Sequence, residues 1–148
     1  MHERIIPMEP KLASCIEEAV DAFVNSINKD GRIQYHRRFQ DAQVWIVSRE
    51  KLYSGDVPQI VTPRVTVMPY SNEVLAIMPD VVVIRGGSRY ILPPDVRSSL
   101  ATDYPIFDMM QHLYQGKPEG ELTDKIFSAL NDAWEKAQNI DPDQYELH

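Results

Sequence analysis

The chain has 148 residues, which fits one domain able to bury about two thirds of its unfolded surface. Apolar residues make up 43% and charged residues 25%, ordinary values for a globular protein, so disordered and fibrous classes are excluded. Residues 29–97 hold ten basic and seven acidic residues, whereas residues 98–148 hold three basic and ten acidic ones. This layout argues against general binding to duplex DNA and leaves room for a local anion site.

Residues 1–9 carry charges of both signs and lack the apolar centre of a secretory signal. No apolar run approaches the roughly 20 residues that span a bilayer. A single cysteine, Cys15, excludes an internal disulfide and fits a reducing compartment. These features predict a cytoplasmic protein without a membrane segment, folded as one domain over 1–148 with flexible ends at 1–9 and 140–148.

An amphipathic helix is predicted over residues 10–31. Pro10 suits a first helical position, and Gly31 is a usual helix stop. Apolar residues recur every three or four positions, which places them in one stripe that faces a core. The stripe comprises Leu12, Cys15, Ile16, Ala19, Val20, Phe23 and Ile27.

From Arg32 to Leu92 the pattern changes to that of short β-strands. β-Branched and aromatic residues become frequent, and six of the eleven prolines lie in or directly after this stretch. Pro79 and Asp80 are predicted to separate two of the strands. The predicted strands span residues 32–40, 42–48, 64–68, 74–78, 81–85 and 88–92.

The helical period returns after Pro93 and Pro94, with helices predicted over residues 103–118 and 122–139. A short connection between them favours an antiparallel pair. Because no crossover helices interrupt the strands, the sequence predicts an α+β fold. In it, a mainly antiparallel sheet of five or six short strands is flanked by an N-terminal helix and a C-terminal antiparallel helix pair.

The stretch VVVIRGGSRYIL, residues 81–92, is the first candidate site. Gly86 and Gly87 between two apolar runs are typical of a two-residue hairpin turn, because glycine readily adopts positive φ. The functional alternative is that Arg85 and Arg89 together bind a phosphate or carboxylate, assisted by the amides of the turn. The stretch lacks the Gly-Lys-Ser/Thr sequence of a P-loop, so the hairpin interpretation is favoured.

The polar side of the first predicted strand is the second candidate site. Alternation along the strand places Arg32, Gln34, His36 and Arg38 on one side. Arg64 and Thr66 would continue this surface if their strand is a neighbour. Such a surface would bind single-stranded nucleic acid or a nucleotide, whereas the simpler interpretation is the solvated face of a half-buried sheet.

The predicted C-terminal helices contain a third candidate, a hydrophobic surface for a protein partner or a second copy of the chain. Its residues are Met109, Met110, Tyr114 and Trp134. Methionine and aromatic side chains are typical of adaptable interfaces. At helical spacing, packing in the core is the simpler interpretation.

Catalytic and metal-binding patterns are missing from the sequence. The four histidines have no metal-ligand spacing, and one cysteine cannot build a usual zinc site. No G-x-S-x-G elbow occurs, and Cys15 falls in the apolar stripe of the first helix, which favours a buried inert thiol. The sequence therefore predicts no metal and no cofactor.

The favoured interpretation is a small acidic, non-enzymatic adaptor that acts through a protein partner, as chaperones, inhibitors and regulators do. The alternative is a small-ligand module or enzyme that binds an anionic ligand through arginines of the β region. These hypotheses differ in their structural consequence. The first predicts an exposed apolar patch on the helices with dispersed arginines, and the second predicts arginines that converge on one site.

Overall fold

A computed structural model describes residues 9–38, 43–53, 58–71 and 73–148. The described elements run in chain order as follows: α1 (Pro10–Ile27), β1 (Ile33–Arg38), β2 (Val44–Arg49), β3 (Lys51–Tyr53), β4 (Gln59–Pro69), β5 (Val74–Arg85), β6 (Ser88–Ile91), α2 (Pro94–Leu100), β7 (Thr102–Pro105), α3 (Ile106–Tyr114), α4 (Glu119–Gln138) and a short 3-10 helix (Pro142–Gln144). The predicted flexible end at 1–9 lies outside the described residues except for Glu9.

The first helix begins at Pro10 as predicted but ends at Ile27, before the predicted stop at Gly31. Its start is fixed by Glu9, whose carboxylate accepts hydrogen bonds from the backbone N–H groups of Lys11 and Leu12. Those two amides have no partner inside the helix, so the side chain stabilises the first turn. The stripe from Leu12 to Phe23 is buried, as predicted.

The described strands form one antiparallel sheet in the order β1-β2-β4-β5-β6, with β3 also paired to β4 and β7 also paired to β5. The α+β class, the antiparallel sheet and the helices at both ends are confirmed. The sheet has seven strands in the described part. Two short ones, β3 and β7, were not predicted, and the predicted strands 74–78 and 81–85 form the single strand β5. The helix α2 between β6 and β7 was likewise not predicted.

Pro79 and Asp80 do not separate two strands, contrary to prediction, but lie within the single strand β5. On one edge of β5, β6 pairs with residues 82–85 and β7 pairs with residues 74–77, while α2 lies in the chain between these two partners. Residues 78–81 thus have no strand partner on that edge, and a proline, which has no N–H, is tolerated there. The N–H of Val81 donates instead to the Asp80 carboxylate at 2.7 Å.

The core lies between one face of the sheet and the helices α1, α3 and α4. Inward-facing valines, leucine and isoleucine of β2, β4 and β5 meet the apolar stripes of the helices. Phe23 of α1 makes edge-to-face contacts with Phe127 and Trp134 of α4, with ring centroids 6.3 and 6.1 Å apart. These contacts join α1 to α4. The three helices α1, α3 and α4 all lie on one face of the sheet.

The last nine residues, predicted to be a flexible end, lie against the sheet. His148 exchanges two backbone hydrogen bonds with Ile91 of β6, at 2.9 and 3.0 Å. Asp141 caps the short 3-10 helix by accepting from the N–H of Asp143. No helix in the described ranges is both long and apolar enough to cross a bilayer.

Candidate functional site

The β5–β6 hairpin forms as predicted but separates its two arginines. Gly86 and Gly87 make the turn with φ of 58° and 79°, values that residues other than glycine rarely adopt. Arg85 pairs with Ser88, whereas Arg89 pairs with Ile84, the residue before Arg85. Directly paired residues share a face and neighbours along a strand alternate, so Arg85 and Arg89 lie on opposite faces. This geometry does not favour the binding of one anion by both arginines.

Arg85 is already engaged within the fold. Its Nε donates to the side-chain oxygen of Gln59 at 3.0 Å, and its Nη2 lies 3.6 Å from Asp143. The guanidinium also lies 5.9 Å from the ring centroid of Tyr90. These contacts attach the C-terminal segment to the hairpin, while Arg89 remains exposed.

The polar face predicted for the first strand exists and extends across the sheet. Gln34 pairs with Ser48, Ser48 with Arg64, and Arg64 with Asp80, which aligns four polar residues on the face opposite α1 and α4. In the adjacent row His36 pairs with Ile46, which pairs with Thr66. Arg64 and Thr66 therefore share the face of Gln34 and His36, although β2 lies between their strands.

Two further residues of this candidate set are Arg32 and Arg38. Arg32 precedes β1, and its Nε lies 4.0 Å from the carboxylate of Asp30. Arg38 ends β1, and its side chain lies outside the described part of the structure. Of these two, the structure places only the side chain of Arg32, and this residue lies outside β1.

Asp80 is the centre of an ionic cluster that the sequence did not reveal. Its side chain is 4% exposed, and its Oδ2 lies 2.5 Å from Nη2 of Arg64 and 4.0 Å from Nη1 of Arg97. Arg64 comes from the neighbouring strand and Arg97 from α2. The cluster therefore joins α2 to the sheet face opposite α1 and α4.

Two of the four residues predicted to bind a partner are part of the core. Met109 and Trp134 are buried because they face α1, α4 and the sheet, so neither contributes to an exposed surface. Met110 is half-buried, and Tyr114 is 78% exposed. Core packing explains the first two residues, and the outer side of α3 carries the other two.

The outer side of α3 carries an exposed apolar stripe. Phe107 is 68% exposed and lies seven residues before Tyr114, which places the two rings two turns apart on one side of the helix. Met110, three residues after Phe107, lies between the two rings on the same side of the helix. The four exposed large hydrophobic residues in the described ranges include both aromatic members of this α3 stripe.

Acidic residues surround the α3 stripe in the sequence. Between residues 103 and 124 the chain has five acidic side chains and one lysine. The start of α3 is also tied to the turn between β4 and β5, since the N–H of Ile106 donates to the carbonyl of Glu73 at 2.9 Å. An apolar helix side in acidic surroundings presents both hydrophobic area and negative potential.

A groove of about 810 Å³ lies between α3, α4 and the strands β5 and β7. His112 forms part of its wall, and Nε2 of this buried ring lies 3.0 Å from the carbonyl of Pro118, to which it donates. Charged residues along the groove are Asp108, Lys117, Asp124, Lys125 and Asp132. Burial, followed by the charge of Asp132, raises the pKa of Tyr104 in this groove.

The surroundings raise the pKa of two titratable groups elsewhere. Burial raises the pKa of the Cys15 thiol, with a further contribution from the charge of Glu119. Burial also raises the pKa of Tyr35 strongly, and the nearby charge of Asp21 adds to the shift. A thiol held in its neutral form is a poor nucleophile.

Comparisons with known proteins do not assign the chain. No family model, no curated protein and no solved structure matches it. Within the described residues, no group of three or more His, Cys, Asp or Glu side chains is arranged to hold a metal ion.

Phe107, Asp80 and Arg97 were not predicted as functional residues from the sequence. Phe107 could have been found from its spacing of three and seven residues to Met110 and Tyr114. Asp80 gave no such signal, since a Pro-Asp pair between apolar runs is typical of a turn. Its role became visible only with the strand register.

Proposed function

We propose that the protein is a non-enzymatic adaptor that binds a basic, amphipathic helical segment of a partner protein on the outer side of α3. The observation that carries this proposal is the α3 stripe, with Phe107 68% and Tyr114 78% exposed on one side of the helix. Large aromatic side chains are costly to leave in water and are enriched at binding hot spots. Their regular helical spacing fits a helical partner.

The chemistry of the partner follows from the charges. Five acidic residues and one lysine between residues 103 and 124 favour a partner segment rich in lysine and arginine. Three aspartates and two lysines along the α3–α4 groove leave that wall negative as well. A second copy of the chain would bring like charges together, so these charges oppose a homodimer through α3.

The separation of the two hairpin arginines weighs against the small-ligand hypothesis at the β5–β6 hairpin. An anion site built by the hairpin needs Arg85 and Arg89 on one face, and the register puts them on opposite faces. The proposal includes a cytoplasmic location, where the single buried Cys15 would remain reduced.

Selection from a displayed library of helical peptides about four turns long tests the proposal. The immobilised full chain should enrich peptides with apolar residues at helical spacing and net positive charge. Their affinity should fall as salt is raised, because the acidic surroundings contribute to binding.

Matched variants locate the binding site. The double variant Phe107→Ser and Tyr114→Ser should lose at least tenfold in affinity for the enriched peptides. The control is Ile84→Thr, which changes an exposed apolar residue of the β5–β6 hairpin and should bind as the unaltered chain does. Enrichment of acidic peptides, or equal binding by the double variant, would refute the proposal.

A further inference from the structure

The cluster of Arg64, Asp80 and Arg97 contains more positive than negative charge. Two guanidinium groups lie within 4.0 Å of a single carboxylate oxygen, Oδ2 of Asp80. The contacts that the structure describes therefore leave one positive charge without a carboxylate partner at a partly buried place. Such a charge is costly to desolvate unless an anion balances it.

The hydrogen bonds of the cluster likewise leave guanidinium donors without an acceptor. The other carboxylate oxygen of Asp80 accepts from the N–H of Val81 at 2.7 Å, so both oxygens of this group are engaged. The Nε atoms of Arg64 and Arg97 are buried and have no hydrogen-bond partner in the described part of the chain. Since each guanidinium has five N–H donors, both groups retain donors for a further acceptor.

The cluster is open to a ligand on one side. The side chain of Arg64 is 19% exposed and that of Arg97 is 33% exposed, whereas Asp80 beneath them is 4% exposed. The register places Arg64 directly beside Ser48 on the sheet face that α1 and α4 do not cover. A small ligand on this face would meet guanidinium groups first and the carboxylate only behind them.

We propose that Arg64 and Arg97 form a binding site for a phosphate group, with Asp80 as the residue that positions both guanidiniums. A phosphate has enough acceptor oxygens to bind two guanidiniums at once, which planar, forked donors match well. The site uses other arginines than the hairpin pair and lies away from α3, so it stands whether or not the adaptor proposal holds.

Thermal unfolding with added inorganic phosphate tests the site. At constant ionic strength, millimolar phosphate should raise the melting temperature of the full chain by a few degrees relative to chloride, because a ligand of the folded state stabilises it. Phosphoserine and a nucleoside monophosphate, compared with inorganic phosphate, distinguish a phosphopeptide source from a nucleotide source. An equal shift with acetate would refute the phosphate assignment.

Two arginine variants make the test specific. Arg97→Gln should abolish the phosphate shift while keeping the Arg64–Asp80 pair, and Arg89→Gln, which alters an exposed arginine outside the cluster, should keep it. If Arg97→Gln does not fold, ³¹P line broadening on the unaltered chain, reversed by excess phosphoserine, supplies the measurement. The absence of a shift and of broadening, or an undiminished shift in Arg97→Gln, would overturn the proposal.

Discussion

Phe107 and Tyr114 lie on the exposed side of α3, two turns apart, while Met109 on the same helix faces the core. The two sides of this nine-residue helix should therefore respond differently to substitution. Phe107→Ser and Tyr114→Ser should each change the free energy of unfolding by less than about 1 kcal/mol, since they remove little buried area. Met109→Ala should cost about 2 to 3 kcal/mol through lost packing.

Chemical denaturation of the three variants measures this difference. The slope of unfolding free energy against denaturant should stay constant, so that midpoints can be compared directly. A large loss on Phe107→Ser with little change on Met109→Ala would mean that α3 is rotated relative to this structure, and the α3 stripe would no longer be exposed.

The Asp80 cluster should contribute strongly to stability. Asp80→Asn keeps the shape of the side chain but removes the charge that balances Arg64 and Arg97. Breaking a buried ion pair on one side typically costs about 3 kcal/mol or more, because the remaining charges stay buried without a partner. Calorimetry should show a clearly lower melting temperature.

Asp95→Asn is the matched control for this substitution, since Asp95 is an exposed acid on α2. It should unfold within about 0.5 kcal/mol of the unaltered chain. Replacing Arg64 with methionine in the Asp80→Asn background should cost less than the two single changes combined, because the residues are coupled. Strict additivity would argue against a direct ion pair.

The hairpin arginines should differ from each other. Arg85→Ala removes contacts with Gln59, Asp143 and Tyr90 and should cost up to about 1 kcal/mol, whereas Arg89→Ala should have almost no effect. Because the side chains lie on opposite faces, the double variant should show the sum of the single effects within error. Strong coupling in denaturant unfolding would place both arginines on one face.

Alkaline pH should destabilise the fold. Burial raises the pKa of Cys15 above its ordinary 9.0 and those of Tyr35 and Tyr104 above their ordinary 10.0. The folded chain thus holds these protons more tightly than the unfolded chain, and this contribution is complete below the ordinary values. It is lost as the pH rises above about 9 to 10, where only the unfolded chain releases the protons.

Tyr35→Phe isolates one of these groups. The variant should match the unaltered chain near neutral pH and lose less stability between about pH 9 and 11, as thermal melting will show. Tyr114→Phe changes an exposed tyrosine and serves as the control, with the steep alkaline loss retained. Identical alkaline slopes for Tyr35→Phe and the unaltered chain would contradict the assignment.

Much of the fold follows from local patterns in the sequence. The apolar stripe from Leu12 to Phe23 has a strict helical period, and Gly86 and Gly87 meet a demand for positive φ that few other residues satisfy. Such signals depend only on neighbouring residues. They predict the helix, the hairpin and the α+β class correctly.

The candidate sites depend on register, which local patterns do not specify. The continuity of β5 through Pro79 arises because α2 interrupts the strand partner on one edge, a feature of the tertiary structure. In the same way, only the pairing of Arg64 with Asp80 brings the two charges together from strands that are separate in sequence. Met109 is buried and Met110 is half-buried, because consecutive residues of α3 point in different directions around the helix.

The most direct test of the adaptor account is an NMR titration of the isotope-labelled full chain with a basic, amphipathic helical peptide from the proposed selection. The account predicts that amide shifts concentrate on residues 106–114 and on neighbouring α4, and that Phe107→Ser with Tyr114→Ser abolishes them. Shifts centred on β1, β2 and β4, or saturable binding that leaves α3 unchanged, would contradict it.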